Sequence, residues 1–162
     1  MSDSTPPPSH LALSLGRMPT GLYLVTTKTP DGPVGFIGSF VMQMGFKPPT
    51  LCVGVGKERG PLAAMRAHGS FAVSILDAKS QGLMGAFFKK YEDGSGPFDQ
   101  VEHKAAPSGA PIITGALAWM DCSISGEHEL DDHVVVFGTV EAGELLREGD
   151  PSIHLRKNGL SY

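Results

Sequence analysis

Apolar positions along this chain fall in short runs separated by turn residues, not in long stripes. Leu11, Leu13 and Leu15, with Gly16 just beyond, predict a short helical turn that stops before Pro19. Residues 21–27 form a β-branched and aromatic run. Thr29-Pro30-Asp31-Gly32 behind it reads as a turn, because proline presets φ and glycine accepts a positive one. Residues 34–41 read as a second strand and 50–55 as a third, entered through Pro48-Pro49. Pro61 opens a short helix to about His68, since proline suits the first helical turn. Residues 70–76 make a fourth strand. Residues 79–88 are the strongest helix candidate, with Leu83, Phe87 and Phe88 on one side. The polar, glycine- and proline-rich residues 91–111 read as a loop around Phe98. Strand character returns over 116–125, 133–140 and 151–156. The run at 133–140 is too apolar for a half-solvated strand and is expected to be buried on both faces. About seven strands and two or three short helices, without repeats, predict a mainly β protein, a barrel or a sandwich.

Composition supports this reading. Of 162 residues, 21 are Gly and 13 are Pro, about a fifth of the chain against a norm near 12%. Such punctuation disfavours long helices. The net charge of −4 argues against a partner read through its phosphate backbone, so no nucleic acid is expected. Residues 1–10 read as a disordered tail without the basic and apolar regions of a signal peptide, and 11–162 as one domain. No apolar run approaches the roughly 18 residues of a membrane span; a cytoplasmic protein is expected. Cys52 and Cys122 show no metal or disulfide spacing and read as two buried small hydrophobes.

Two motifs carry possible chemistry. Gly54-Val-Gly56-Lys57-Glu58-Arg59-Gly60 lies between a strand and a helix, with Asp77 ending the next strand. It approaches the dinucleotide fingerprint, but the spacing is G-x-G-x-x-x-G and no further βαβ units follow. Backbone amides over 56–60, with Lys57 and Arg59 beside them, suit a phosphate in any architecture; a solvated polar turn is the alternative. His128-Glu-Leu-Asp-Asp-His133 is dense in metal-ligand types, but its second histidine falls at i+5. It reads as a charged turn, and no metal site is expected. The pair Asp132-His133, opening an apolar strand, stands out.

Read together, these segments resemble the flavin reductase-like family of FMN-binding split barrels. The resemblance rests on Gly35-Phe-Ile-Gly-Ser39-Phe-Val-Met-Gln-Met-Gly-Phe-Lys-Pro48-Pro49, Gly56-Lys57-Glu-Arg59, residues 71–76, residues 109–122, Asp132-His133, and Gly138-Thr-Val140. The ending Ile153-His154-Leu-Arg156-Lys157-Asn-Gly159-Leu-Ser-Tyr162 is similar to the C-terminal flavin reductase module of flavodiiron proteins.

The resemblance implies a split barrel binding FMN, with FAD possible. Cofactor contacts would come from Gly38, Ser39, Phe40, Val41, Met42, Gln43, Gly45, Gly56, Lys57, Arg59 and Ser74. A loop over 38–45 would turn its amides to the flavin edge, with glycines 35, 38 and 45 at close approach, and Lys57 and Arg59 would pair with the 5′-phosphate. His133 is the catalytic candidate, beside the nicotinamide or the flavin edge; His154 and Tyr162 are further candidates for the pocket wall. NADH or NADPH would supply hydride, and an acceptor protein such as a monooxygenase or a flavodiiron-type partner would take reduced flavin or electrons. A homodimer is expected. Ile37, Met42 and Gly45 stand where many relatives carry hydroxyls. That departure motivates two alternatives: an FMN-binding module without reductase activity, and a cofactor-free β-barrel interaction protein.

Overall fold

The computed structural model describes residues 6–161. A short helix, α1 (His10–Leu15), capped by the Ser9 hydroxyl, leads into β1 (Thr20–Gly21) and β2 (Tyr23–Thr29). Then come β3 (Gly32–Gly38), β4 (Val41–Phe46), β5 (Pro49–Gly56), α2 (Gly60–His68) and β6 (Ser70–Ile75). A 3₁₀ turn and α3 (Met84–Phe88) follow, then β7 (His103–Ala105), β8 (Pro111–Ile113), β9 (Ala118–Glu129), β10 (His133–Leu145) and β11 (Ile153–His154). Seven strands make one antiparallel sheet in the order β3-β2-β6-β9-β10-β5-β4.

That order and the sequence together require closure. β3 and β4 occupy opposite edges of the sheet, which in a flat sheet would lie about 29 Å apart. Yet only Ser39 and Phe40 join them, a link that spans about 10 Å at most. The sheet therefore curls until its edges nearly meet. The hydrogen bond from Gly54 N–H to the Phe40 carbonyl, 2.8 Å, ties the link to β5. The result is a barrel with a seam.

Inside it, Val25, Phe36, Val53, Phe71, Val134 and Val136 form the centre of the main core, and Leu62 and Met65 of α2 close one end. Outside β2 and β6, a second cluster places Leu24 and Leu76 under Ala86, Val101 and Ile113. Leu24 and Val25 thus serve opposite faces of one strand, as a period of two requires. Asp77 pins this outer layer. Its carboxylate accepts from Arg147 Nη2 at 2.6 Å, from Ser80 Oγ at 2.7 Å and from the Ser80 amide at 2.9 Å. Arg147 holds that carboxyl well below the usual range, with Ser80 next in effect.

Several expectations change. The strand predicted over 34–41 is interrupted, because Ser39-Phe40 crosses the seam. The loop expected over 38–45 is largely β4. Residues 79–88 form a turn, a 3₁₀ turn and one short helix, since Asp77 and Ser80 bind each other where a longer helix would begin. The loop over 91–111 contains a short 3₁₀ turn and β7, paired with β8. β10 is not buried on both faces: burial alternates along it, with 134 and 136 inside and 133 and 135 half-buried. The Gly54–Gly60 motif is not a nucleotide-binding crossover, because β5 and β6 are not neighbours and every partner of β5 is antiparallel. His128 to His133 is the tip of the β9–β10 hairpin, and among the described residues no group of three or more ligand side chains is placed to hold a metal. Of the expected tail, residues 1–5 lie outside the described residues, and His10 already begins α1.

Candidate functional site

A cleft of about 930 Å³ lies along the seam. β5 contributes Cys52 and Gly54 to it, β10 contributes His133 and Val135, and the crossing segment contributes Ser39, Phe40, Val41 and Met42. The remaining wall comes from elsewhere in the chain. Thr20, Gly21 and Tyr23 face the C-terminal arm, of which Ile153, Arg156 and Leu160 reach the cleft. The ladder between β1 and β11 holds that arm in place, with Thr20 opposite His154 and Gly21 opposite Ile153. The apolar face of β10 that looked too hydrophobic for solvent is this cleft's wall.

Phe40 is part of its wall. Gly54 makes the seat, since a Cβ there would lie 3.0 Å from the Phe40 Cβ. The ring meets His133 edge-on, with centroids 5.7 Å apart, and the Arg156 guanidinium lies 4.6 Å above it. His133 Nδ1 lies 3.0 Å from Asp132 Oδ1. A carboxylate only accepts, so this contact places a proton on Nδ1 and fixes the ring's orientation. The hydrogen bond from His133 in turn holds the Asp132 carboxyl below the usual range. Burial pushes the Tyr23 phenol up, so it stays a neutral hydroxyl in the wall.

The sequence-derived residues divide into two groups. Ser39, Phe40, Val41, Met42 and His133 line the cleft. Gly38, Gln43, Gly45, Gly56, Lys57, Arg59 and Ser74 are not among its lining residues. Ser74 is a correction: it is fully buried, and its Oγ accepts from the Ile113 amide at 3.1 Å, which turns it to the outer layer. Gln43 reaches along β4 to the Gly45 carbonyl. Gly35 and Gly38 are required by β2, because side chains there would meet Thr26 and Val25.

Gly56, Lys57 and Arg59 sit beside the His133 end instead. Gly56 pairs with His133 in register, and the Lys57 amide donates to the Asp132 carbonyl at 3.0 Å. The Arg59 amide donates to Gly56, so two of the amides expected to be free are engaged, one across to the tip of the β9–β10 hairpin and one within the turn. The Lys57 ammonium pairs with Glu129 at 2.7 Å, which lowers the Glu129 pKa, and Arg59 lies 5.5 Å above the Phe36 ring.

His154 is not a lining residue, and Tyr162 lies outside the described residues. The cysteines also divide. Cys122 is buried, with its thiol pushed up to about 12, whereas Cys52 is half-buried on the cleft wall. Sequence reading missed Thr20, Tyr23, Cys52 and Arg156. Each reaches the cleft only through closure of the barrel or return of the arm.

The family model described as flavin reductase-like domain matches residues 15–159, which takes in every strand and the whole cleft lining except Leu160 and Ser161. This chain belongs to that family. Among proteins similar in sequence, diflavin flavoprotein A 1 of Synechocystis is 33% identical over 156 residues, covering 95% of this chain and 27% of that protein. A diflavin flavoprotein A 3 of Nostoc is 34% identical over 156 residues, with the same coverage. The chain thus spans about a quarter of the length of the curated relatives it matches. Among solved structures, nitrilotriacetate monooxygenase component B from Mycobacterium thermoresistibile superposes with a TM-score of 0.82 at 30% identity, covering 90% of this chain and 80% of that one. The NADH:FAD oxidoreductase SgcE6 of Streptomyces globisporus gives 0.81 at 28% identity, covering 90% and 87%. The flavin reductase-like split barrel anticipated from sequence is therefore the fold.

Proposed function

We propose that the seam cleft binds the isoalloxazine of FMN, with FAD as the alternative flavin, and that the protein is an NAD(P)H-dependent flavin reductase. The observation that carries this reading is the cleft itself. It is of ligand size, mostly apolar, and furnished with few polar groups, as flat heteroaromatic ligands require. All of its lining residues but Leu160 and Ser161 also lie inside the region that the flavin reductase-like model matches. The family's flavin supplies hydride acceptance; the protein supplies binding, orientation and electrostatics.

The residues divide that work. Phe40, Val41, Val135 and Cys52 give apolar surface for a ring system and exclude water. Held by Asp132, His133 presents a fixed imidazole to the flavin edge or the nicotinamide carboxamide. Stacking donor on acceptor is chiefly a proximity effect, so no acid–base pair is needed. Lys57 and Arg59, next to His133 through the Gly56 register, are the residues proposed for the flavin 5′-phosphate. Ile37, one of the lost hydroxyl positions, packs against the outer cluster, away from the cleft. Its aliphatic side chain therefore leaves the ring site intact.

Met42, Met44 and Phe46 alternate along edge strand β4 and are exposed, Phe46 at 84%. A second copy of the chain would cover this stripe, and we read the protein as a homodimer with the cleft beside the interface. Reduced flavin or its electrons would pass to an acceptor protein of the monooxygenase or flavodiiron type. Anaerobic mixing of the protein and FMN with NADH or NADPH tests the activity. The visible flavin absorbance should bleach at a rate that rises with protein concentration. Bound flavin that keeps its colour would leave a binding module without reductase activity.

A further inference from the structure

We infer that Arg156 takes a phosphate of the reduced nicotinamide dinucleotide and so governs recognition of the electron donor; the inference rests on the hydride-transfer reading above. Among the described residues lining the cleft, Arg156 is the one lysine or arginine. Of the described cations outside the cleft lining, three are held by carboxylates. Lys57 is on Glu129, Arg66 on Glu127 and Arg147 on Asp77. No carboxylate of the described residues lies within ion-pair distance of Arg156. Its guanidinium instead rests over Phe40, a residue of the cleft wall.

The arm holds it there. The Arg156 carbonyl passes so close to Gly16 that a Cβ on Gly16 would lie 2.5 Å from it. Three residues on, Gly159 donates its N–H to the Ala12 carbonyl at 2.8 Å and leaves no room for a side chain against Leu15. The backbone before Arg156 is thus held by β1 and the backbone from Arg156 onward lies against the end of α1, while the side chain reaches over the seam. A guanidinium above an aromatic face keeps its N–H fork at the edge, where a phosphate binds in two-point fashion. Such a bond outranks the cation–π contact, so the ring serves as a rest and the phosphate as the partner. The nicotinamide dinucleotides offer two sources, the pyrophosphate common to both and the 2′-phosphate of NADPH.

The test compares wild type with Arg156→Gln and Arg156→Lys, using NADH, NADPH and the phosphate-free donor N-benzyl-dihydronicotinamide. Melting curves serve as the folding control. A loss of FMN affinity in Arg156→Gln as large as the loss for the dinucleotides would move Arg156 to the flavin and overturn the assignment. Arg156→Gln should raise KM for a dinucleotide about tenfold or more, with kcat changed much less, and the lysine variant should recover part of the loss. The phosphate-free donor should lose less than about twofold, as expected when the missing group is the phosphate. An effect on NADPH alone assigns the 2′-phosphate, and equal effects on both dinucleotides assign the pyrophosphate. Equal loss for all three donors, or no loss for either dinucleotide, overturns the assignment. A wild-type protein that none of the donors reduces overturns the hydride reading itself.

Discussion

Val134 and Val136 of β10 point into the barrel and are almost fully buried, while Val135 between them faces the seam cleft. β5 repeats the pattern, with Val53 and Val55 inside and Cys52 and Gly54 on the cleft. Both faces are apolar, but only the inner one is filled by its own protein. Packed interiors tolerate few voids, so the inner face answers to stability. The seam face keeps an open cleft, which makes it the face that answers to a ligand. An apolar strand with alternating burial is therefore evidence for a site as much as for a core.

The two faces should respond differently to mutation. Phe71→Ala, in the middle of the inner core, should cost about 3–5 kcal/mol in urea unfolding. Val135→Ala should cost below about 1 kcal/mol, because the wall it leaves is already open. Similar losses at the two sites would erase the distinction. Within the cleft, His133→Ala should slow flavin reduction about tenfold or more in stopped-flow mixing and shift FMN affinity by less than about threefold. An unchanged reduction rate would make the histidine structural. At the rim, Arg59→Ala should weaken FMN about tenfold and riboflavin hardly at all, since a charge-assisted phosphate bond is lost. Equal losses for the two flavins would move the phosphate elsewhere.

The smallest effect concerns the outer layer. Arg147 and Ser80 hold the Asp77 carboxyl below its ordinary value, so the folded state binds that proton less readily than the unfolded chain. The stability gained is complete above the unfolded value of about 4 and fades as pH falls toward the folded one. Asp77→Asn should therefore lower the melting temperature at neutral pH, and its gap from wild type should narrow on acidification below about pH 4. FMN affinity should stay as it was. A gap that is constant with pH would remove the carboxylate from the account.

Local chemistry was legible in the sequence; closure was not. The turn at Pro30-Asp31 and the helix opened by Pro61 follow from φ preferences within a few residues, and both are present. β4 was hidden because Val-Met-Gln-Met-Gly-Phe has few β-branched residues and exposes its apolar side chains. The seam depends on which strands become neighbours, and no local pattern encodes that. His133 could be singled out because an apolar strand seldom opens on two titratable groups. Arg156 could not, since its place depends on the arm folding back over α1. Ser74 was misassigned because a serine in a strand reveals its facing only when the neighbours on both sides are known.

The central claim is that the seam cleft, and not another surface, holds the flavin. Equilibrium titration of FMN into wild type and into Val135→Trp, read by flavin fluorescence with melting curves in parallel, tests it most directly. The account predicts that the tryptophan fills the cleft from its wall and abolishes FMN binding while the melting temperature stays close to wild type. Equal FMN affinity in the two proteins would contradict it.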